Sequence, residues 1–205
     1  MSYPIAYTVE PQFAGRNRAT TFFRLILAIP HLVLVGGPMF AIGFWHHHWG
    51  FTGILGFVAG VMAIIAWFAI LLGDAHPRGL WDFAYYFLSW RARVVAYVAL
   101  LRDEYPPFGE AHYPARFEAT FPDAPRDKLS VALRLILVIP HAVVLFFLGI
   151  AFLIVTVIAW FAILFSGQYP ESMHGFAVGC LRWSIRVEAY LLLMRDEYPP
   201  FSFEP

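Results

Sequence analysis

The block Arg-Asp-Glu-Tyr-Pro-Pro-Phe occurs twice, at 102–108 and 195–201, and each time it sets an Asp beside a Glu. Paired carboxylates such as Asp103 and Glu104, or Asp196 and Glu197, are the residue types that acid–base catalysis or a hard cation requires. Neighbouring positions on a helix point to different faces, so the two acids do not converge on one atom. The block therefore reads first as a helix terminus. Arg102 or Arg195 and the acids enter water, Pro-Pro stops the helix, and Tyr and Phe anchor the exit at an interface.

Three further groups carry chemistry. His31 and His141 each follow an Ile-Pro step at the edge of an apolar run, where an imidazole titrates, ligates, or bonds the carbonyl that the proline leaves free. The last role is the expected one. His46, His47 and His48, flanked by Trp45 and Trp49, are weak candidates for a metal, since no Cys or carboxylate accompanies them; a polar turn at head-group level is expected there. Arg91, Arg93, Arg182 and Arg186 lie in two aromatic segments and are expected to contact lipid head groups or an interface.

These side chains sit in a chain of 205 residues that is 60 % apolar and only 14 % charged, against about 25 % charged in soluble proteins. Its formal net charge of zero offers no basic excess for nucleic acid, and none is expected as a partner. The single cysteine, Cys180, rules out an intramolecular disulfide and reads as a small buried apolar residue. Arg16, Arg18 and Arg24 precede the first apolar run, but no small-residue cleavage site follows, so the N-terminus is expected to be retained.

The elements that position the candidate residues come in two copies. RLILAIPH at 24–31 returns as RLILVIPH at 134–141, and IAWFAIL occurs at 65–71 and 158–164. From there to the RDEYPPF blocks the spacing is constant, so that Trp90 matches Trp183 and Arg93 matches Arg186. Between the first two blocks the first copy is 17 residues longer, and the extra length holds the three histidines. The copies divide the chain into 1–109, a linker at 110–128 that reads as a proline-rich loop, and 129–205.

Residues 25–45 and 51–72 are charge-free stretches long enough to cross a bilayer core of about 30 Å. In the second copy one apolar run fills 131–166. It is expected to form a short hairpin turning near Gly149; the alternative is an interfacial start that breaks at Pro140 and leads into a single helix. Paired segments leave every Lys and Arg on one side, which favours cytoplasmic termini. The helices at 80–102 and 173–195 carry too much arginine for a span and are expected in the interface plane. Arg91 and Glu188 fall on the same stripe in different copies and are expected to pair across a pseudo-two-fold contact.

RLILxIPH, IAWFAIL followed by a Gly and Pro turn, and a terminal DEYPPF together resemble the membrane-protein family described as domain of unknown function 4389, in two tandem copies over nearly the whole chain. The resemblance implies a bacterial membrane protein and brings no established activity, cofactor or catalytic residue. The expected fold is an all-α integral membrane protein of two tandem repeats, each a transmembrane helical hairpin followed by an interfacial amphipathic helix. It would be a multi-pass protein of the bacterial inner membrane. The expected function is a non-enzymatic membrane component, an accessory or scaffolding subunit or a bilayer organiser, with lipid, other membrane subunits or a second copy as partners and no cofactor. A small transporter or channel is the alternative, and a membrane enzyme acting on lipid head groups is the third.

Overall fold

A helix that is apolar on every side is buried in a protein core or faces another apolar phase. The computed structural model describes residues 3–38, 53–73, 75–122 and 125–204. In chain order the elements are β1 (Ile5–Val9), α1 (Arg18–Phe22), α2 (Arg24–Val35), α3 (Gly53–Gly73), α4 (Arg78–Val98), β2 (Ala115–Ala119), α5 (Lys128–Leu137), α6 (Ile139–Ser166) and α7 (Glu171–Leu191).

The fold is mostly helical but not all-α. β1 pairs with β2 antiparallel, with Tyr7 opposite Phe117, Ile5 opposite Ala119 and Val9 opposite Ala115. The segment expected to be a loop between the copies thus contains the first strand of the second copy. Tyr3-Pro4 recurs at Tyr113-Pro114 with the same offset of 110 that relates Arg24 to Arg134. That offset makes Ile5 equivalent to Ala115 and Val9 to Ala119, so the strand register is itself two-fold symmetric about Tyr7 and Phe117.

α4 and α7 form the middle layer and pack on each other. One face of α4 meets the strands: Tyr85 lies 5.6 Å from the Phe117 ring, and Tyr7 donates to the Ala92 carbonyl at 3.2 Å. The opposite face, with Trp90 and Arg91, meets α2 and the turn after it. α7 likewise turns Arg182 and Arg186 toward β1 and Trp183 toward α6. The expected interfacial helices are therefore the inside of the molecule. Twenty-one residues each, they are sandwiched between the strands and an outer layer made of α1, α2, α3, α5 and α6.

The outer layer differs from the expected hairpins. In the second copy α5 stops at Val138, beside Pro140, and α6 then continues through Gly149 for 28 residues, about 42 Å, without a turn. This is the single-helix alternative, and its physical reason is that nothing between 141 and 165 supplies a breaker other than one glycine. In the first copy α2 ends at Gly36 (φ 72°), and α3 begins at Gly53 (φ 69°), where a Cβ would collide with the backbone of Leu34 and Gly36. The chain returns after its insertion to the point where it left. Val35 and Gly53 correspond to Leu145 and Phe146, which are consecutive in α6. His46 to His48, with the rest of 39–52, lie outside the described residues.

α3 and α6 contain no charged residue and are long and apolar enough to cross a membrane. Their outer faces, and those of α2 and α5, expose large apolar side chains such as Ile29, Phe68, Leu133, Phe147, Ile154 and Phe161.

Candidate functional site

Two equivalent clusters bring together the sequence blocks that repeat. Each starts from an unusual helix end. α4 closes with Leu101 N–H on the Ala96 carbonyl (3.0 Å) and Leu100 N–H on Tyr97 (3.1 Å), while Leu100 sits at φ 61°. α7 repeats the turn with Met194 on Ala189, Leu193 on Tyr190, and Leu193 at φ 62°. This is a Schellman turn with leucine in the left-handed position that glycine usually holds, a strain of about 1–2 kcal/mol. Both leucines are buried, and their carbonyls meet guanidiniums: Leu100 accepts from Arg16 at 2.6 Å and Leu193 from Arg126 at 2.8 Å.

Asp103 follows the turn and is saturated. Its carboxylate accepts from Arg16 at 2.8 and 3.1 Å, from Arg24 at 2.6 Å and from the Asn17 backbone at 2.8 Å. Asp196 repeats this with Arg126 at 2.6 and 2.7 Å, Arg134 at 2.8 Å and the Asp127 backbone at 2.9 Å. Burial alone would raise both carboxyls. The Arg16 and Arg126 bonds, the backbone N–H groups and the second arginines outweigh it and hold both below the usual aspartate value. Arg24 and Arg134 also stack on Tyr97 and Tyr190, each at 4.1 Å. Asn17 and Asp127 do double service as the N-caps of α1 and α5.

The expected divergence of the neighbouring acids is what the structure shows. Glu104 turns away to chelate Arg102, and Glu197 to chelate Arg195. The expected exit of the block into water holds for Glu104 but not for Arg102 and Asp103: Arg16 and Arg24 close over Asp103, and Arg102 is held by Glu104 and the Glu10 carbonyl.

The histidines pair with tryptophan rather than with a carbonyl freed by proline. Trp90 Nε1 donates to His31 Nδ1 at 3.1 Å, and Trp183 Nε1 to His141 Nδ1 at 3.0 Å. An indole N–H only donates, so each Nδ1 accepts and each imidazole is neutral with its proton on Nε2. Phe108 stacks on His31 at 4.3 Å and Phe201 on His141 at 4.0 Å, with Tyr105 and Tyr198 beside them. The Tyr and Phe of each RDEYPPF block thus pack on the histidine of the IPH block in their own copy while staying about half exposed.

Of the four arginines expected at lipid head groups, Arg91, Arg93 and Arg186 are buried and Arg182 is partly buried, all bonded within the protein. Arg91 is 1 % exposed and pairs with Glu188 at 3.0 Å, the cross-copy contact that the helical stripes predict. It also donates to the Gly37 carbonyl at 2.6 Å. Arg93 bonds the carbonyls of Ser89 and Ala111, Arg182 those of Tyr7 and Phe203, and Arg186 that of Ile5. The strands and the chain termini, which periodicity alone does not place, cover the helix faces that would otherwise reach lipid.

A cavity of about 540 Å³ lies between α2 and α6, beside Phe22 of α1 and Val98 of α4. Leu25, Ile150, Leu153 and Val157 line its open side, Trp160 lies against Phe22, and Arg24 and Thr156 are its polar wall residues. Such a space takes hydrocarbon. Among the described residues no group of three His, Cys, Asp or Glu gathers to hold a metal. The arginines Arg16 and Arg126, absent from the sequence candidates, were legible as one more pair at the offset of 110.

The model of the family described as Domain of unknown function (DUF4389) matches residues 39–109 and again 128–202. No curated protein and no solved structure matches the chain. The structural repeat begins earlier than either match, at the Tyr-Pro steps that open β1 and β2. With the family match covering more than half of its length in two segments that fold alike, the chain belongs to the DUF4389 family and carries two tandem copies of its domain.

Proposed function

We propose that this protein is a non-enzymatic component of the bacterial inner membrane, held there by the outer faces of α2, α3, α5 and α6, with both termini on the cytoplasmic side. The observation that supports this reading is the disposition of its charges. Asp103 and Asp196 are each consumed by two arginines, the remaining buried arginines bond Glu188, Glu104 or backbone carbonyls, and the outer layer exposes hydrocarbon. No carboxylate in the clusters is left free for proton transfer. An enzyme using both Asp-Glu pairs needs them at one pocket, whereas the clusters share no residue. A transporter built from the two copies needs a polar path between them, and the cavity between α2 and α6 is apolar.

Two interlocked copies with an apolar outer layer make a rigid body suited to seating another membrane subunit or to shaping the bilayer. Purification of the tagged chain from its native membrane in mild detergent separates these. A stoichiometric protein partner that survives size exclusion selects the accessory subunit. Tubulation of liposomes by the pure protein selects bilayer shaping. An ion flux through proteoliposomes that disappears in His141→Ala would overturn the proposal in favour of a transporter.

A further inference from the structure

The two apolar helices pass the length test for spanning, yet the symmetry of the fold puts a polar sheet level with their midpoint. α6 starts at the second-copy cluster, where His141 packs on Tyr198 and Phe201, and ends at the first-copy cluster. There Trp160 donates to the Thr21 carbonyl at 3.1 Å, Arg18 to Phe165 at 3.2 Å, and Arg16 N–H to Gly167. α3 is its counterpart, with Trp67 donating to the Val131 carbonyl at 2.9 Å. The two-fold axis that relates the clusters exchanges α6 with the second half of α2 and α3, so it passes between α6 and α3, about level with the middle of α6. The same axis passes between Tyr7 and Phe117, at the centre of the β1–β2 pair.

The pair lies on the far side of α4 and α7 from α3 and α6. Its inner side chains, Tyr7 and Phe117, are buried, and its outer ones, Thr8, Arg116 and Glu118, are exposed. If α6 ran along the membrane normal, the exposed Arg116 and Glu118 of this sheet would stand at the depth of the bilayer centre, where ionised side chains are costly. If α6 lies parallel to the membrane plane, the apolar faces of α2, α3, α5 and α6 all enter hydrocarbon together. The sheet then faces water.

We infer that the protein sits in a single leaflet, with α3 and α6 lying in the membrane plane and the acyl chains of that leaflet covering the outer layer. The inference rests on the membrane reading proposed above and replaces a crossing with an embedded face. It places both charge clusters and the sheet on one side of the membrane, and it makes the molecule a wedge that occupies one leaflet only. The cavity beside Leu25, Ile150 and Leu153 opens on the embedded face, where a lipid chain fills it.

The test uses the full chain reconstituted in phosphatidylcholine–phosphatidylglycerol liposomes, in a Cys180→Ala background, with single nitroxide-labelled cysteines at Val143, Ile150, Val157 and Phe161 on the exposed stripe of α6 and at Glu118 on the sheet. In the plane, the four α6 labels share one depth to within about 3 Å, and the Glu118 label relaxes freely with a water-soluble reagent. In a crossing helix, depth changes by about 10 Å between Val143 and Ile150, and the Glu118 label is shielded; that result overturns the inference. Flotation of the liposomes is read on the same samples. Protein that fails to float overturns the membrane reading itself, and protein that floats with a sloping depth profile overturns only the in-plane arrangement.

Discussion

At Asp103 and Asp196 two guanidiniums depend on one carboxylate, so the aspartates carry more of the fold than the glutamates beside them. Asp103→Asn leaves Arg16 and Arg24 buried without a counter-charge and is expected to cost about 2–4 kcal/mol. Glu104→Gln, with its side chain half exposed, should stay below about 1 kcal/mol. Unfolding of the detergent-solubilised protein distinguishes the two. The pH dependence has a definite sign. The folded carboxyl of Asp103 lies below its ordinary value of 3.8, so its contribution is complete above about pH 5 and is lost as the pH falls past 3.8 through the folded value. The stability gap between the wild type and Asp103→Asn should therefore be constant from pH 7 to about 5 and close below 4. At the histidines, Trp183→Phe leaves His141 Nδ1 without its donor and should cost about 1–2 kcal/mol, as should Trp90→Phe at His31.

The joint between α4 and α7 departs from the symmetry of the elements that meet there. The equivalent of Arg91 is Ser184 and that of Glu188 is Val95, so this ion pair has no twin. Removing one partner strands a buried charge, whereas replacing both can restore an apolar contact. Arg91→Met and Glu188→Leu are each expected to destabilise by about 3–5 kcal/mol, and the double variant by clearly less than either, which a double-mutant cycle on unfolding midpoints measures. A different constraint governs the α2–α3 junction. Gly53→Ala combines a positive φ with a clash against the Leu34 and Gly36 backbone. It should lower the melting temperature far more than Gly60→Ala in the same helix, where a Cβ meets nothing within 4 Å and helix propensity gains about 1 kcal/mol.

At the scale of the whole molecule, each copy completes the other. Trp67 of the first copy bonds the start of the second, Trp160 of the second bonds the start of the first, and each strand packs on the central helix of the other copy as well as on its partner strand. Half of the chain is therefore not a folding unit. Residues 1–109 and 110–205 expressed together from separate genes should co-purify as a complex, while each alone should aggregate or be degraded. Recovery of either half as a stable monomer in detergent would show that the interlock is dispensable.

The sequence alone determined the repeat, the mostly helical character and the apolar outer segments, and its helical stripes put Arg91 and Glu188 on matching faces. These follow from self-similarity, local period and composition, which a chain cannot hide. It also showed that neighbouring carboxylates diverge. What it could not determine was the partner of each polar group. Arg93, Arg182 and Arg186 read as lipid-facing because helix periodicity does not reveal that the segment opening each copy lies across the central helix of the other. The turn near Gly149 failed for a related reason: run length measures hydrophobicity, not helix ends, and one glycine in an otherwise unbroken helix does not stop it. Only the tertiary structure decided that three separate blocks close into one cluster per copy, since long-range pairs such as Arg24 with Asp103 depend on how the chain folds back rather than on its local spacing.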